Sequence, residues 1–140
     1  MNKICSACAV DPESHSFKKI AEKRNTSIFY TKPGAAKMYK DTEGILAHME
    51  NALIANNGKK WVCIIDGDDF DIGHATEFAT GRGIVALLTK YNDTLVELKI
   101  INPTWHLNHV FNDSSSYFTE DVQKKITVLN DRKYSVLQFM

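Results

Sequence analysis

The sequence predicts an α/β fold in which a mostly parallel central sheet is covered by helices. Four short runs have the composition of buried strands, namely TSIFYT (26–31), WVCIID (61–66), VELKII (96–101) and KITVL (125–129). Stretches with helical periodicity separate these runs, and that alternation is typical of parallel strands joined by helical crossovers. With 140 residues, of which 44% are hydrophobic, the chain can bury the core of a single domain, which we place at residues 1–140.

Residues 11–24, ahead of the first strand, predict a short helix. Asp11 followed by Pro12 resembles a helix cap with proline at the first helical position. The apolar residues Phe17, Ile20 and Ala21 then follow at helical spacing. We therefore expect a helix before the sheet begins.

The three crossovers and the C-terminal residues also predict helices. The first crossover helix is capped by Asp41 or Thr42 and stops at Asn57-Gly58. The third covers residues 105–112, and a closing helix is expected from Asp131 to the end. The second covers residues 74–91, and its expected inner positions are Phe78, Ile84, Val85, Leu88 and Tyr91.

Charge and hydropathy exclude several classes of function. The 17 basic residues equal the 17 acidic ones in number, so the formal net charge is zero and no overall field favours nucleic acid. The longest apolar runs, WVCII and GIVALL, are too short to span a bilayer. The N-terminal residues lack the apolar core of a signal peptide. A cytoplasmic location is the default expectation, with an organelle or a membrane-associated assembly left open.

An acidic segment follows the second predicted strand, where open α/β sheets place functional groups. Asp66 and Asp68 have the Asp-x-Asp spacing of a phosphatase nucleophile, but Phe70 stands where a small hydroxylic or branched residue is usual. Asp66, Asp68 and Glu77 also match three positions of a calcium loop, yet Asp71 occupies the place of the required glycine. We therefore expect Asp66 to cap the next segment and the other acids to form a solvated turn.

The cysteines and histidines do not predict a metal site. Cys5 and Cys8 form a single C-x-x-C pair, whereas a structural zinc site needs about four ligands and no second Cys/His pair follows at suitable spacing. Cys63 lies in an apolar strand pattern and is expected in the core. The histidines are expected to be surface or packing residues; they are His15, His48, His74, His106 and His109. Neither a metal nor another cofactor is expected.

The order and spacing of residues from Trp61 to Leu129 resemble the CRAL-TRIO domain, a lipid-binding fold. In that family a buried strand ends in Asp and an apolar residue follows four places on, as do CIID and Phe70 here. The run from Tyr91 to Asn102 has the length of the family segment that leads from a tyrosine to a strand ending in Ile-Asn-small-Pro. Lys125 with its following isoleucine matches the Lys-Ile pair that opens the next strand, and TSIFYTKPG resembles the family's first strand.

The resemblance implies a set of ligand-binding residues and a structural corner. The implied ligand-binding residues are Phe78, Leu88, Asp93, Val110, Phe111, Phe118 and Lys125. Asp93 and Lys125 match the acid and the lysine that contact inositol phosphate in better-known members, although Asn92 replaces the family's proline. The corner is formed by Asn102, Pro103, Thr104 and Trp105. Asn102 is expected to tie the turn through side-chain hydrogen bonds, and Pro103 to end the strand. Thr104 is expected to cap the next helix, and Trp105 to pack that helix onto the domain.

Two functions follow from the resemblance and from the departures. The first is a non-catalytic module that binds a lipid or another small apolar ligand. The second is a structural or adaptor subunit that docks into a protein assembly, because the family's N-terminal lobe is reduced to residues 11–24 and its gate region is shortened after Leu129. The expected partners are accordingly an apolar ligand and a protein, with peripheral membrane contact left open. A phosphatase is the third and weakest alternative.

Overall fold

The computed structural model describes residues 8, 10, 14–114 and 117–140, which form an α/β fold on one five-stranded sheet. The strands lie in the sheet in chain order, as β1 (Phe17–Lys23), β2 (Thr26–Thr31), β3 (Lys60–Asp66), β4 (Leu95–Ile101) and β5 (Ile126–Leu129). β1 pairs with β2 in antiparallel orientation, and β2 to β5 are parallel to one another. The mostly parallel sheet predicted from the sequence is confirmed.

Helices connect the parallel strands. From residue 14 onward, the described residues include the α-helices α1 (Thr42–Ala55), α2 (Ile72–Ala75), α3 (Phe78–Lys90), α4 (Trp105–Ser114) and α5 (Glu120–Gln123). Short 3-10 helices cover Pro33–Ala35, Asn92–Thr94 and Val136–Phe139. Asp41 caps α1 through its carboxylate, which accepts from the backbone N–H of Gly44. None of the helices in the described part of the chain is long and apolar enough to cross a membrane.

The helix predicted over residues 11–24 is wrong where the structure describes it, because residues 17–23 form strand β1. The pairing shifts register between Lys19 and Ala21, so the strand carries one extra residue there. That bulge allows Ile20 and Ala21 to pack on the same side of the sheet while Phe17 packs on the other. The resulting 17, 20, 21 spacing imitates a helical face. A two-residue turn follows, since Arg24 and Asn25 have φ values of 50° and 67°.

The single helix predicted over 74–91 is also wrong in detail, since the chain forms α2 and then α3. Phe78 begins α3 and is 65% exposed, so the inner position expected for it is wrong. Thr80 occupies the buried position in that first turn, where its hydroxyl lies 2.7 Å from Thr42 Oγ1 and donates to Tyr39 O at 3.1 Å. A polar anchor therefore fixes the start of α3, and the aromatic ring of Phe78 lies outside the core.

The two faces of the sheet are covered differently. Side chains of α1, α3, α4 and α5 share one core cluster with Phe29, Trp61, Cys63 and Leu98 of the sheet. The opposite face carries a smaller cluster of Ile28, Ile64 and Ile101, against which Tyr134 and Phe139 pack. Sequential parallel strands joined by right-handed crossovers place all connecting helices on one side, which accounts for this asymmetry. Cys63 lies in the main core, as predicted.

The closing helix expected from Asp131 to the end is wrong, apart from the 3-10 turn at Val136–Phe139. The backbone N–H of Tyr134 donates to Asn102 Oδ1 at 2.7 Å, and Asn102 Nδ2 donates to Tyr134 O at 2.8 Å. Because the backbone N–H and C=O of Tyr134 bond to Asn102, these two groups are not available for the hydrogen bonds of a helix. The C-terminal residues therefore lie against the second face of the sheet as an irregular segment.

Candidate functional site

An apolar cavity lies between the sheet and helices α3 and α4. It contains about 600 Å³ of empty space, counting the part that opens to solvent. Its lining consists of Pro33, Tyr39, Ile65, Phe70, Gly81, Ile84, Val85, Leu88, Leu98, Ile100, Leu107, Val110, Phe111 and Phe118. Apart from the Tyr39 hydroxyl, these are residues without polar side-chain atoms. The cavity proper has a volume of about 80 Å³. Its apolar lining, and not its size, is what it shares with sites that hold small apolar ligands.

The structure brings together part of the residue set predicted from the sequence. Leu88 of α3 lies in the lining beside Val110 and Phe111 of α4 and Phe118 of the following loop. The rings of Phe111 and Phe118 pack against each other with their centroids 5.9 Å apart. Phe78 lies outside the lining. The role of the four lining residues in binding a ligand stays a prediction.

A polar cleft adjoins the apolar cavity, and Tyr39 lines both. The cleft contains about 610 Å³ of empty space, and its lining is Ala36, Lys37, Met38, Tyr39, Lys40, Asp71, Gly73, His74 and Glu77. The rings of Tyr39, Phe70 and His74 are in mutual contact, with centroids 5.2–6.2 Å apart. Burial raises the pKa of Tyr39 to about 12, so its phenol is neutral at physiological pH. An aromatic wall thus separates an apolar space from a polar one.

Asp66 lies at the end of β3 and is only 6% exposed. Its Oδ2 accepts from the Tyr30 hydroxyl at 2.6 Å, and its Oδ1 accepts from Asp68 N at 3.0 Å and Asn102 Nδ2 at 3.2 Å. The pKa of Tyr30 is raised, first by burial and then by its hydrogen bond to Asp66, which keeps the phenol in its donating form. Three donors on a buried carboxylate are typical of a structural residue, and the cap expected of Asp66 is confirmed by its bond to Asp68.

The strand-to-helix corner is a structural junction. Asn102 has a positive φ of 50° and connects Asp66 to the C-terminal segment through its side chain. Thr104 Oγ1 accepts from Leu107 N at 3.2 Å, as a helix cap does, and donates to Phe70 O at 2.7 Å. β4 ends ahead of Pro103, as expected. The packing expected of Trp105 is wrong, because that residue is 73% exposed. Its ring contacts the neighbouring rings of His106 and His109 on α4.

Asp93 and Lys125 lie away from the cavity lining. Lys125 Nζ donates to the backbone oxygen and to the side-chain Oδ1 of Asn92, both at 2.7 Å. Lys125 therefore holds the turn at residues 92–94, next to Asp93. Contact of either residue with a phosphate group stays a prediction.

Cys8, His15 and His48 come together at the sheet edge, a cluster that the sequence did not predict. Their ligand atoms all lie within 4.8 Å of one another, and His15 is 3% exposed. Burial lowers the pKa of His48, and the nearby His15 lowers it further. Cys8 and His48 are 40 positions apart, so the spacing of residues in the chain contains no signal for the cluster. Cys5 lies outside the described residues.

The family model of the CRAL/TRIO domain matches residues 15–140. The chain belongs to the CRAL/TRIO family. Its fold matches those of 24 chains in solved structures, among them the crystal structure of Sfh5, with a TM-score of 0.64 and 11% sequence identity. The match covers 83% of this CRAL/TRIO domain and 48% of Sfh5, so the chain spans about half the length of that protein. Among curated proteins, none matches the sequence.

The membership confirms the resemblance and the fold class that the sequence predicted. The CRAL/TRIO family is a family of lipid-binding domains, which is why the apolar cavity is of interest as a candidate site. The family match includes β1. From the sequence, this segment is expected to be the remnant of an N-terminal helical lobe. In this CRAL/TRIO domain residues 17–23 are therefore part of the sheet.

Proposed function

We propose that this CRAL/TRIO domain is a non-catalytic module that binds a lipid or a similar amphiphile in the cavity between its sheet and helices α3 and α4. The observation that carries the proposal is the nearly uninterrupted apolar lining of that cavity. Burial of an apolar chain there would remove hydrocarbon from water, at about 25 cal/mol for each Å² buried. Family membership supports the same ligand class.

The adjoining cleft suits the polar end of such a ligand. Lys37 and Lys40 line it together with His74, and the acids Asp71 and Glu77 balance their charge. A ligand with its chain in the cavity and its head in the cleft would pass the ring of Tyr39, which lines both spaces. The proposed ligand is therefore an amphiphile with a single compact polar end.

Exposed apolar side chains next to the cleft support contact with a membrane surface. Ile72 and Phe78 are each 65% exposed, and they flank the cleft residues His74 and Glu77 in the chain. Large apolar side chains on a surface are typical of interaction sites. Contact of this edge with a bilayer would bring the cleft close to its lipids.

Replacement of Gly81 with leucine is expected to reduce ligand binding at least tenfold without loss of stability. A Cβ built at Gly81 meets no atom within 4 Å, and Gly81 lines the cavity, so the leucine side chain starts in free space and would extend into the volume that the ligand needs. Leucine also favours a helix interior over glycine by about 0.5–1 kcal/mol. Binding is measured with a fluorescent fatty acid and by native mass spectrometry of the purified protein, and stability by urea unfolding.

Ala86→Leu is the matched control for that substitution. Ala86 lies on the same helix but on its exposed side, so the added side chain does not reach the cavity. Unchanged fatty-acid binding in Gly81→Leu, or a wild-type protein that neither binds the probe nor retains lipid on purification, would contradict the proposal. The first result would mean that the ligand binds outside this cavity. The second would favour the adaptor alternative, whose own test is recovery of a stoichiometric protein partner.

A further inference from the structure

The two sulfur–nitrogen separations within the Cys8, His15 and His48 cluster are those of ligands around one metal ion. Cys8 Sγ lies 3.6 Å from His15 Nδ1 and 3.4 Å from His48 Nδ1. Tetrahedral zinc has Zn–S bonds of about 2.3 Å and Zn–N bonds of about 2.0–2.1 Å, which place sulfur and nitrogen about 3.5 Å apart. All three ligand atoms lie within 4.8 Å of one another. Two Zn–N bonds span at most about 4.1 Å, so an ion that binds all three atoms draws the imidazoles together wherever their nitrogens lie farther apart than that.

The outer nitrogen of each imidazole is held as metal-binding histidines usually are. His48 Nε2 lies 2.7 Å from Phe17 O. A carbonyl oxygen only accepts, so Nε2 carries the hydrogen and the neutral ring presents its lone pair at Nδ1, toward the sulfur. His15 Nε2 lies 3.1 Å from Asp41 Oδ2. A carbonyl or carboxylate behind the ring orients a ligand histidine and raises its basicity.

A metal ion would use all three atoms in one role, because it accepts electron pairs from the sulfur and from both nitrogens together. A hydrogen-bonded cluster needs different roles, in which the thiol donates to His48 Nδ1 while a protonated His15 donates to the sulfur. Metal binding by the protein distinguishes the two arrangements. The mixed sulfur and imidazole donors also match the preference of zinc over magnesium or calcium, which bind oxygen.

We infer that Cys8, His15 and His48 bind a zinc ion, with one coordination position left for a water molecule or a further donor. The Cys8 thiol releases one proton to solvent as its Zn–S bond forms, and each imidazole donates the lone pair of Nδ1. The ion joins residue 8 to the segment ahead of β1 and to α1. No residue of the lipid cavity takes part, so the inference is independent of the proposed function.

The experiment uses the full chain, stripped of metal and kept under a phosphine reductant. Titration with Co²⁺ is expected to saturate at one ion per chain and to give a sulfur-to-cobalt charge-transfer band with the visible bands of tetrahedral cobalt. Zinc is expected to displace the cobalt stoichiometrically and to raise the melting temperature. Burial raises the pKa of Cys63 to about 12, so its thiol is a poor ligand in the folded protein.

Substitutions of individual residues identify which side chains bind the metal ion. Cys8→Ser is expected to abolish the charge-transfer band, and His48→Gln to lower zinc affinity at least 100-fold. Asp41→Asn keeps an N-cap residue on α1 and is expected to lower zinc affinity about tenfold, the usual effect of removing an outer-sphere partner. His106→Gln is the histidine control and Cys5→Ser the thiol control, and both are expected to retain the band. Circular dichroism confirms that each variant is folded.

Any of the following results would overturn the inference. One is a wild-type protein whose cobalt spectrum lacks the charge-transfer band. Another is a Cys8→Ser protein that still binds one zinc with wild-type affinity, and a third is a band that depends on Cys5 and not on Cys8.

Discussion

Replacement of Asp66 with alanine is expected to lower the free energy of unfolding by about 2–4 kcal/mol. The substitution removes the acceptor for three donors, which belong to Tyr30, Asp68 and Asn102. Each buried donor that loses its partner costs about 1–3 kcal/mol, and relaxation of the turn recovers part of that sum. Urea unfolding followed by circular dichroism measures the change, and the slope of the transition is expected to stay constant.

Two neighbouring variants separate the effect of this network from a general effect of losing an acid. Tyr30→Phe removes one donor and is expected to cost about 1–2 kcal/mol. Asp68→Ala removes a half-exposed carboxylate that pairs with Lys133 at the surface, and is expected to cost less than about 1 kcal/mol. If Asp66→Ala unfolds no more easily than Asp68→Ala, the carboxylate of Asp66 has no structural role. It would then have to be tested as the phosphatase nucleophile that its spacing to Asp68 suggested.

The parallel strands were predictable from their strand composition and the turn signals beside them, and most clearly where a strand is buried on both faces and so forms a continuous apolar run. WVCIID is an example, in which Trp61 and Cys63 face the helices while Ile64 faces the C-terminal segment. β1 was not predictable from the same reasoning. Its bulge breaks the two-residue alternation of a strand, and periodicity then indicates a helix. The C-terminal segment was missed because hydrogen bonds to Asn102, a residue of another element, determine its conformation.

The candidate site was predictable to the extent that it depends on local spacing. Leu88 and Val110 line the cavity because helical periodicity turns them toward the sheet, and the sequence contains that periodicity. Phe78 follows the same spacing but lies in the first turn, where contacts of Thr80 with another loop determine what is buried. The polar cleft combines residues 36–40 with residues 71–77, and the cluster of Cys8, His15 and His48 combines the N-terminal residues with helix α1. Such sites depend on tertiary contacts, which a single sequence does not reveal.

Alanine at Gly67 is expected to destabilise the domain by about 1–3 kcal/mol, the usual cost of forcing an extra methyl group into a packed site. A Cβ at this position would lie 2.7 Å from Leu107 Cδ2 and 2.8 Å from both Asn102 O and Pro103 Cα. Two of these three atoms belong to the backbone of the strand-to-helix corner, which Asn102 ties to Asp66 and to the C-terminal segment. The corner therefore cannot move aside without straining the bonds that hold it. Gly34→Ala is expected to act in the same direction, since its Cβ would clash with the backbone carbon of Asp69.

Gly81→Ala is the matched control, with an expected effect of opposite sign. Its Cβ meets no atom within 4 Å, so alanine should stabilise α3 by about 0.5–1 kcal/mol through its better helix propensity. The three substitutions add the same methyl group, but the sites differ in the space around that group and in the secondary structure that carries it. Melting temperatures measured side by side should fall for Gly67→Ala and Gly34→Ala and rise for Gly81→Ala. A rise for Gly67→Ala would mean that the corner yields to the methyl group.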